Sequence, residues 1–287
     1  MINVAQDTFF RKKKLFNCNG KLLDLSTPVI MGILNSTPDS FVTESRVVEP
    51  DAALQKAEEM LAEGALILDI GGQSTRPGAD YIEAETEWSR VEKVLKAIRN
   101  RFPDIVISID TFHSIVAERA IEEGVDMIND ISGGTFDPGM IEVLAQNPVA
   151  YILMHTQGSP QTMQLNTQYE DVVKDILKFF VDHTKLLNHS GIKDVIIDPG
   201  FGFGKTLEQN YTILKNLSLF NMTGHAIMVG FSRKSMINKV LHTNPENALN
   251  GTTVLNTIAL LKGADILRVH DVKEAVETIR LTTFLGL

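Results

Sequence analysis

Residues 105–131 read IVISIDTFHSIVAERAIEEGVDMINDI, and this stretch decides the fold. Ile105 to Ile109 is a short apolar run rich in β-branched residues, closed by Asp110. Ser114 to Glu123 then carries a helical period and stops at Gly124, and Met127 to Ile131 is a second apolar run broken by Asn129 and Asp130. Strand, helix and strand in that order are the repeating unit of a parallel sheet covered by helices. Glycine closes the helix because it accepts the left-handed conformation that ends a helical run.

The same unit recurs on both sides. Further apolar runs lie at Val29 to Leu34, Leu66 to Ile70, Val149 to Met154, Val195 to Ile197, Ala226 to Val229 and Ile266 to Val269, which makes eight in all. Segments of helical period separate them: Asp51 to Glu63, Glu83 to Arg99, Pro138 to Gln146, Tyr169 to Asn188, Leu207 to Leu217, Pro245 to Lys262 and Val272 to Phe284. Eight alternations predict an α/β protein of the (β/α)8 TIM barrel class, since an open doubly wound sheet rarely needs eight parallel strands in one domain. Ahead of the first run, Asn19-Gly20 lies between two short apolar segments, the favoured turn of a tight hairpin. Residues 1–27 are therefore expected to form a hairpin extension plugging the bottom of a barrel domain that spans 28–287.

Composition narrows the function. A chain of 287 residues with 44% apolar and 22% charged residues can bury a large core, which excludes a disordered or fibrous class. The net charge of -9 argues against a nucleic-acid partner. Its one basic run, Arg11 to Lys14, reads as a solvated edge strand in preference to a phosphate patch. No apolar stretch is long enough to span a membrane, the N-terminus lacks a signal-peptide core, and a single cysteine, Cys18, rules out a disulfide framework. A cytoplasmic enzyme without membrane or nucleic-acid partners is the expectation.

Polar residues gather where the apolar runs end: Asn35, Asp69 with Ser74 and Thr75, Asp110, Asn129 with Asp130, His155, Asp198, Ser232 to Lys234, and Arg268 with His270. In this fold the strand C-termini form the rim on which active sites are built. Asp110, Asn129, Asp198 and Lys234 offer the donors and acceptors that read a flat hydrogen-bonding heterocycle. Asn35, Arg268, His270 and Arg76 suit a diphosphate, with the Asn35 oxygen open to a magnesium ion that shares its remaining ligands with phosphates and water. Ser232, Lys234 and Ser235 precede a helix and so face a second anion. Nucleotide motifs fail: Gly204-Lys205-Thr206 lacks the leading glycine of a Walker loop, and Gly200 to Gly204 lacks the Rossmann spacing.

The loops themselves are similar to those of a known family. Met31-Gly-Ile-Leu-Asn-Ser-Thr-Pro-Asp-Ser-Phe41, Asp69-Ile-Gly-Gly-Gln-Ser-Thr-Arg-Pro-Gly78, Ser108-Ile-Asp-Thr111, Asn129-Asp130, Met154-His155, Asp198-Pro-Gly-Phe-Gly-Phe-Gly-Lys205, Gly230-Phe-Ser-Arg-Lys234 and Arg268-Val-His-Asp271 together resemble the dihydropteroate synthase family. Gln73 departs from the glutamate that the family often shows there. The resemblance implies condensation of 4-aminobenzoate with a dihydropterin methyl diphosphate, with Mg2+. It also implies roles: Asp110, Asn129, Asp198 and Lys234 on the pterin, Arg268 and His270 on the diphosphate, Asn35 on the metal. Thr75, Arg76, Pro77, Phe203 and Ser235 would shape the aminobenzoate pocket, while Met154, Gly202, Gly230 and Ser232 complete the substrate-binding set. Asp110, Lys234, Arg268 and His270 are the expected catalytic residues, and a homodimer is the expected assembly. The loops at 35–50 and 71–82 read as lids that exclude water from a reactive cation.

Overall fold

The computed structural model describes residues 12–36, 50–74, 79, 81–158, 161–163 and 165–286. A hairpin of β1 (Leu15–Cys18) and β2 (Lys21–Asp24) precedes eight parallel strands: β3 (Val29–Asn35), β4 (Ile67–Gly71), β5 (Val106–Asp110), β6 (Met127–Asp130), β7 (Ala150–Met154), β8 (Val195–Asp198), β9 (Ala226–Val229) and β10 (Ile266–Val269). They close into a barrel in chain order, β10 pairing with β3. Between them run α1 (Pro50–Glu63), α2 (Ala84–Arg101), α3 (Ser114–Glu122), α4 (Gly139–Gln146), α5 (Val172–His189), α6 (Leu207–Lys215), α7 (Ser235–Leu241), α8 (Leu249–Leu261) and, after β10, α9 (Val272–Phe284).

Two-residue alternation sorts each strand. Leu68, Ile70, Ile107, Ile109, Ile128, Leu153, Ile197 and Val229 face outward into one core shared with the helices. The intervening Met31, Ile67, Val106, Met127, Ile152, Ile196, Met228 and Ile266 fill the barrel interior, and Phe16, Cys18, Leu23 and Leu25 of the hairpin pack into the same cluster. The hairpin thus seals the bottom, as its turn sequence predicts. Asn19 and Gly20 both take positive φ, the geometry of that turn.

Two expectations are corrected. Lys12, Lys13 and Lys14 are not a solvated edge: Lys12 and Lys14 both pair with Asp265, and Lys13 pairs with Asp194. Lys21 and Arg99 do the same for Asp126. Second, the helix expected from Pro245 to Lys262 begins only at Leu249, as α8, and the helix expected after Ser232, Lys234 and Ser235 is a separate seven-residue one, α7, that starts at Ser235 itself. Helix α7 buries just Met236 and Ile237, too few apolar positions to print a period, and His242 ends it in the left-handed conformation.

Candidate active site

The inward-facing ends of the strands meet in one cavity at the top of the barrel. Asp110, Asn129, Ile131, Met154, Asp198, Phe203, Met228, Gly230, Lys234 and Arg268 line it. Register places these groups: Asp110 pairs with Asn129 on β6, Met154 pairs with Asp198 on β8, and Gly71 pairs with Asp110. Of the sequence-expected rim residues, Asp110, Asn129, Asp198, Lys234 and Arg268 converge here, while Asp130 and His155 do structural work. Asp130, wholly buried, accepts the Ser132 and Gly134 N–H groups and the Tyr151 hydroxyl, which fixes its own loop. His155 turns its ring against Phe179 and Tyr169, and burial drives its pKa down to about 2, so the ring is neutral. A one-residue step along a strand decides between cavity and scaffold.

Arg268 dominates the electrostatics. From β10 its side chain reaches across the mouth, donating from Nε to Asp69 Oδ2 and from Nη2 to Asp110 Oδ2, each at 2.6 Å. Burial opposes the guanidinium charge, but Asp69 and Asp110 outweigh it and raise its pKa. Arg268 and Asp110, expected on the diphosphate and on the ring as separate groups, are ion-paired in the structure. Burial pushes Asp110 up to about 7, against the opposing pull of Arg268, with Asp69 and Asp130 adding to the rise. Asp198 is also raised, by burial first, although Lys234 and the Gly200 N–H, which donates to Oδ1 at 2.8 Å, pull the other way.

Lys234 closes the far side. Its ammonium donates to the Phe201 carbonyl at 2.6 Å and stands 4.8 Å from the centre of the Phe203 ring. Burial lowers its pKa to about 8, partly countered by Asp198. Gly230 sits beside both cations: a Cβ there would lie 3.7 Å from the Arg268 Cβ and 3.8 Å from Lys234 Nζ. Gly202 has φ +85° in the loop after β8, where its N–H donates to Asn210, so a side chain would strain the turn carrying Phe203. Ser232 Oγ accepts the His270 N–H and contacts His270 Nδ1 at 3.0 Å, tying the loop after β9 to the end of β10. Ser235 is exposed at the first residue of α7. Thr75, Arg76 and Pro77 lie outside the described residues, as do 37–49 of the first expected lid loop and 75–78 and 80 of the second.

Two residues escaped the sequence reading as site components. Lys205, dismissed as the tail of a failed nucleotide motif, is buried and donates to the carbonyls of His155, Gly200 and Phe203. It thereby holds the loop after β8 against the end of β7. Asp69, in sequence one polar strand end among several, is wholly buried and bonds both Arg268 and Asn129. Its inward position three residues into β4 was the available signal.

By class this closed parallel barrel is a pterin-binding enzyme: residues 31–270 match the family model described as "Pterin binding enzyme". The particular family follows from the relatives. The chain is 44% identical over 265 residues to the dihydropteroate synthase of Haemophilus influenzae, covering 92% of this chain and 96% of that one. It is 42% identical over 273 residues to that of Escherichia coli K12, covering 93% and 95%. Among solved structures, Yersinia pestis dihydropteroate synthase with a sulfonamide drug complex superposes with a TM-score of 0.89 at 40% identity, covering 95% and 99%. The Thermus thermophilus enzyme in complex with 4-aminobenzoate gives 0.85 at 34%, covering 94% and 99%. The chain belongs to the dihydropteroate synthases, transferases of folate biosynthesis.

Proposed function

We propose that the rim condenses 4-aminobenzoate with (7,8-dihydropterin-6-yl)methyl diphosphate to give 7,8-dihydropteroate and diphosphate. The observation that carries this is the meeting of Asp110, Asn129, Asp198, Lys234 and Arg268 around one cavity otherwise walled by Ile131, Met154, Met228 and Phe203. The carboxylates accept from ring N–H groups, the apolar walls cover the ring faces, and Lys234 donates to a ring acceptor. Arg268 and His270 face the leaving diphosphate, and Ser232 orients His270. Thr75, Arg76, Pro77, Phe203 and Ser235 complete the aminobenzoate pocket.

Magnesium fits as a partner of the substrate. Among the described residues no three His, Cys, Asp or Glu side chains are arranged to hold a metal ion. Asn35, half-buried at the end of β3 with its Oδ1 beside Gly71, supplies one neutral oxygen, the donor set expected of an ion held mainly by phosphates and water. Bound there, magnesium would add positive charge to the leaving diphosphate.

The bond between the pterin methylene and the diphosphate oxygen breaks ahead of attack, because the electron-rich reduced ring spreads the resulting positive charge. No side-chain nucleophile is needed; the Arg268 charge and a preorganised hydrogen bond from His270 lower the barrier to departure. The neutral aryl amine, held against the methylene, then attacks and loses its proton. A homodimer in the cytoplasm is part of this reading; Val254 and Leu261 on α8 with Leu281 and Phe284 on the adjacent α9 leave apolar surface for a second copy. The test is diphosphate release on mixing the protein with both substrates and Mg2+. Release that requires 4-aminobenzoate is expected; release without it, or none, overturns the proposal.

A further inference from the structure

Among the described residues, Asp69 is the one carboxylate of the upper barrel that bonds two cavity-lining residues without itself lining the cavity. It is wholly buried, and a single oxygen, Oδ2, accepts both Arg268 Nε at 2.6 Å and Asn129 Nδ2 at 3.0 Å. Its other oxygen has no partner among the described residues. Asp110, by contrast, stands at the cavity surface and holds the same guanidinium by its outer nitrogen, Nη2. The inner end of Arg268 is therefore fastened to a group that no ligand can reach. Its outer end is fastened to a group that the pterin ring must itself engage.

From this arrangement we propose that Asp69 is the positioning residue of the reaction, a buried pivot that holds Arg268 by Nε and Asn129 by its amide. Resting on the function proposed above, the sequence of contacts is as follows. Ring N–H donors take over Asp110, Nη2 leaves it, and the guanidinium turns about its Nε bond to face the leaving diphosphate. Seating the ring and arming the cation become one event. Without the Asp69 charge, Arg268 settles on Asp110, competes with the ring, and lets the Asn129 amide swing free. A charge-assisted bond of this kind is strong enough that its loss is read easily in affinity.

The experiment compares Asp69→Asn, Arg268→Ala and the double variant. Affinity is measured by calorimetry with 6-hydroxymethylpterin, which carries no phosphate, and with inorganic diphosphate; kcat and the KM for 4-aminobenzoate are measured separately, with thermal melts alongside. Asp69→Asn is expected to lose about 10- to 100-fold in both kcat and 6-hydroxymethylpterin affinity, the range for a hydrogen bond to a charged group, with the KM for 4-aminobenzoate little changed. Placed on Arg268→Ala, it should add no further loss of kcat or diphosphate affinity beyond about twofold, the scatter of independent sites. Unchanged kcat and pterin affinity in Asp69→Asn overturn the proposal, as does a loss that adds in full to that of Arg268→Ala. Should Asp69→Asn fail to fold, the melts decide: removing both charges should give a higher Tm than Arg268→Ala alone, which strands a buried carboxylate, and a lower one overturns the pairing. Pterin affinity and melting need no turnover, so they test the pivot even if the assigned reaction fails.

Discussion

At the bottom of the barrel Asp126, Asp194 and Asp265 each stand one residue before a strand, and the chain supplies their partners: Lys21 and Arg99 for the first, Lys13 for the second, Lys12 and Lys14 for the third. Backbone N–H groups of Ile107, Asn17 and Ile227 bond the same carboxylates. At the top, Asp69 and Asp110 share one guanidinium, and Asp198 has a backbone N–H and a nearby ammonium. The contrast shows in protonation: Asp110 is held up to about 7 and Lys234 down to about 8, both against their charged forms. Closed ion pairs seal one end, while the other keeps charges that a ligand can better satisfy.

Breaking the bottom should cost the fold and spare the chemistry. Asp265→Ala strands two lysines, one of them largely buried, and is expected to lose about 3 to 5 kcal/mol of stability with kcat of the folded protein unchanged. Urea denaturation beside steady-state rates checks both halves; a stable variant with a lowered kcat would dissolve the contrast.

Breaking the top should do the reverse. Asp198→Asn puts a donor where ring donors point, and should cost at least about 2 kcal/mol of pterin affinity with little loss of stability. Calorimetry with a pterin analogue measures it, and an unchanged affinity removes Asp198 from the site.

The pH dependence sharpens the comparison. Below about 7 Asp110 carries a proton, so pterin affinity should rise with pH through that value; above about 8 Lys234 loses its charge and affinity should fall. Each limb changes by up to about 1.4 kcal/mol per pH unit. For stability the signs oppose this: a raised Asp110 means stability lost as pH rises through about 7, and a lowered Lys234 means stability lost as pH falls through about 8. Near neutrality the empty rim weighs on the fold and favours the ligand. A flat affinity profile from pH 6 to 9 would contradict this.

The smallest effect separates two lysines on one carboxylate. Lys14 has 40% of its side chain exposed and Lys12 only 10%. Lys14→Ala should therefore change stability by less than about 1 kcal/mol, and Lys12→Ala by more. Equal losses would show that burial does not rank these pairs.

Much of this was legible along the chain. Expected strands such as Ala226 to Val229 and Ile266 to Val269 coincide with β9 and β10, because a buried parallel strand must be an apolar run bounded by polar loops. The rim was legible for the same reason, since Asp110 and Asp198 end runs that otherwise admit no charge. The bounds of helix α7 were not, since it is too short to show a period, and Lys12 to Lys14 looked like solvent-facing charges because their partners lie 180 or more residues away in sequence.

Local physics therefore determined the alternation, the hairpin turn and the set of polar strand ends, since apolar period, turn chemistry and strand length act over a few residues. Tertiary closure decided the rest. Only when β10 meets β3 does Arg268 come within 2.6 Å of both Asp69, 199 positions away, and Asp110, 158 positions away. Which polar end faces the cavity and which faces the helices depends on strand register around the closed barrel, and no segment read by itself contains that register.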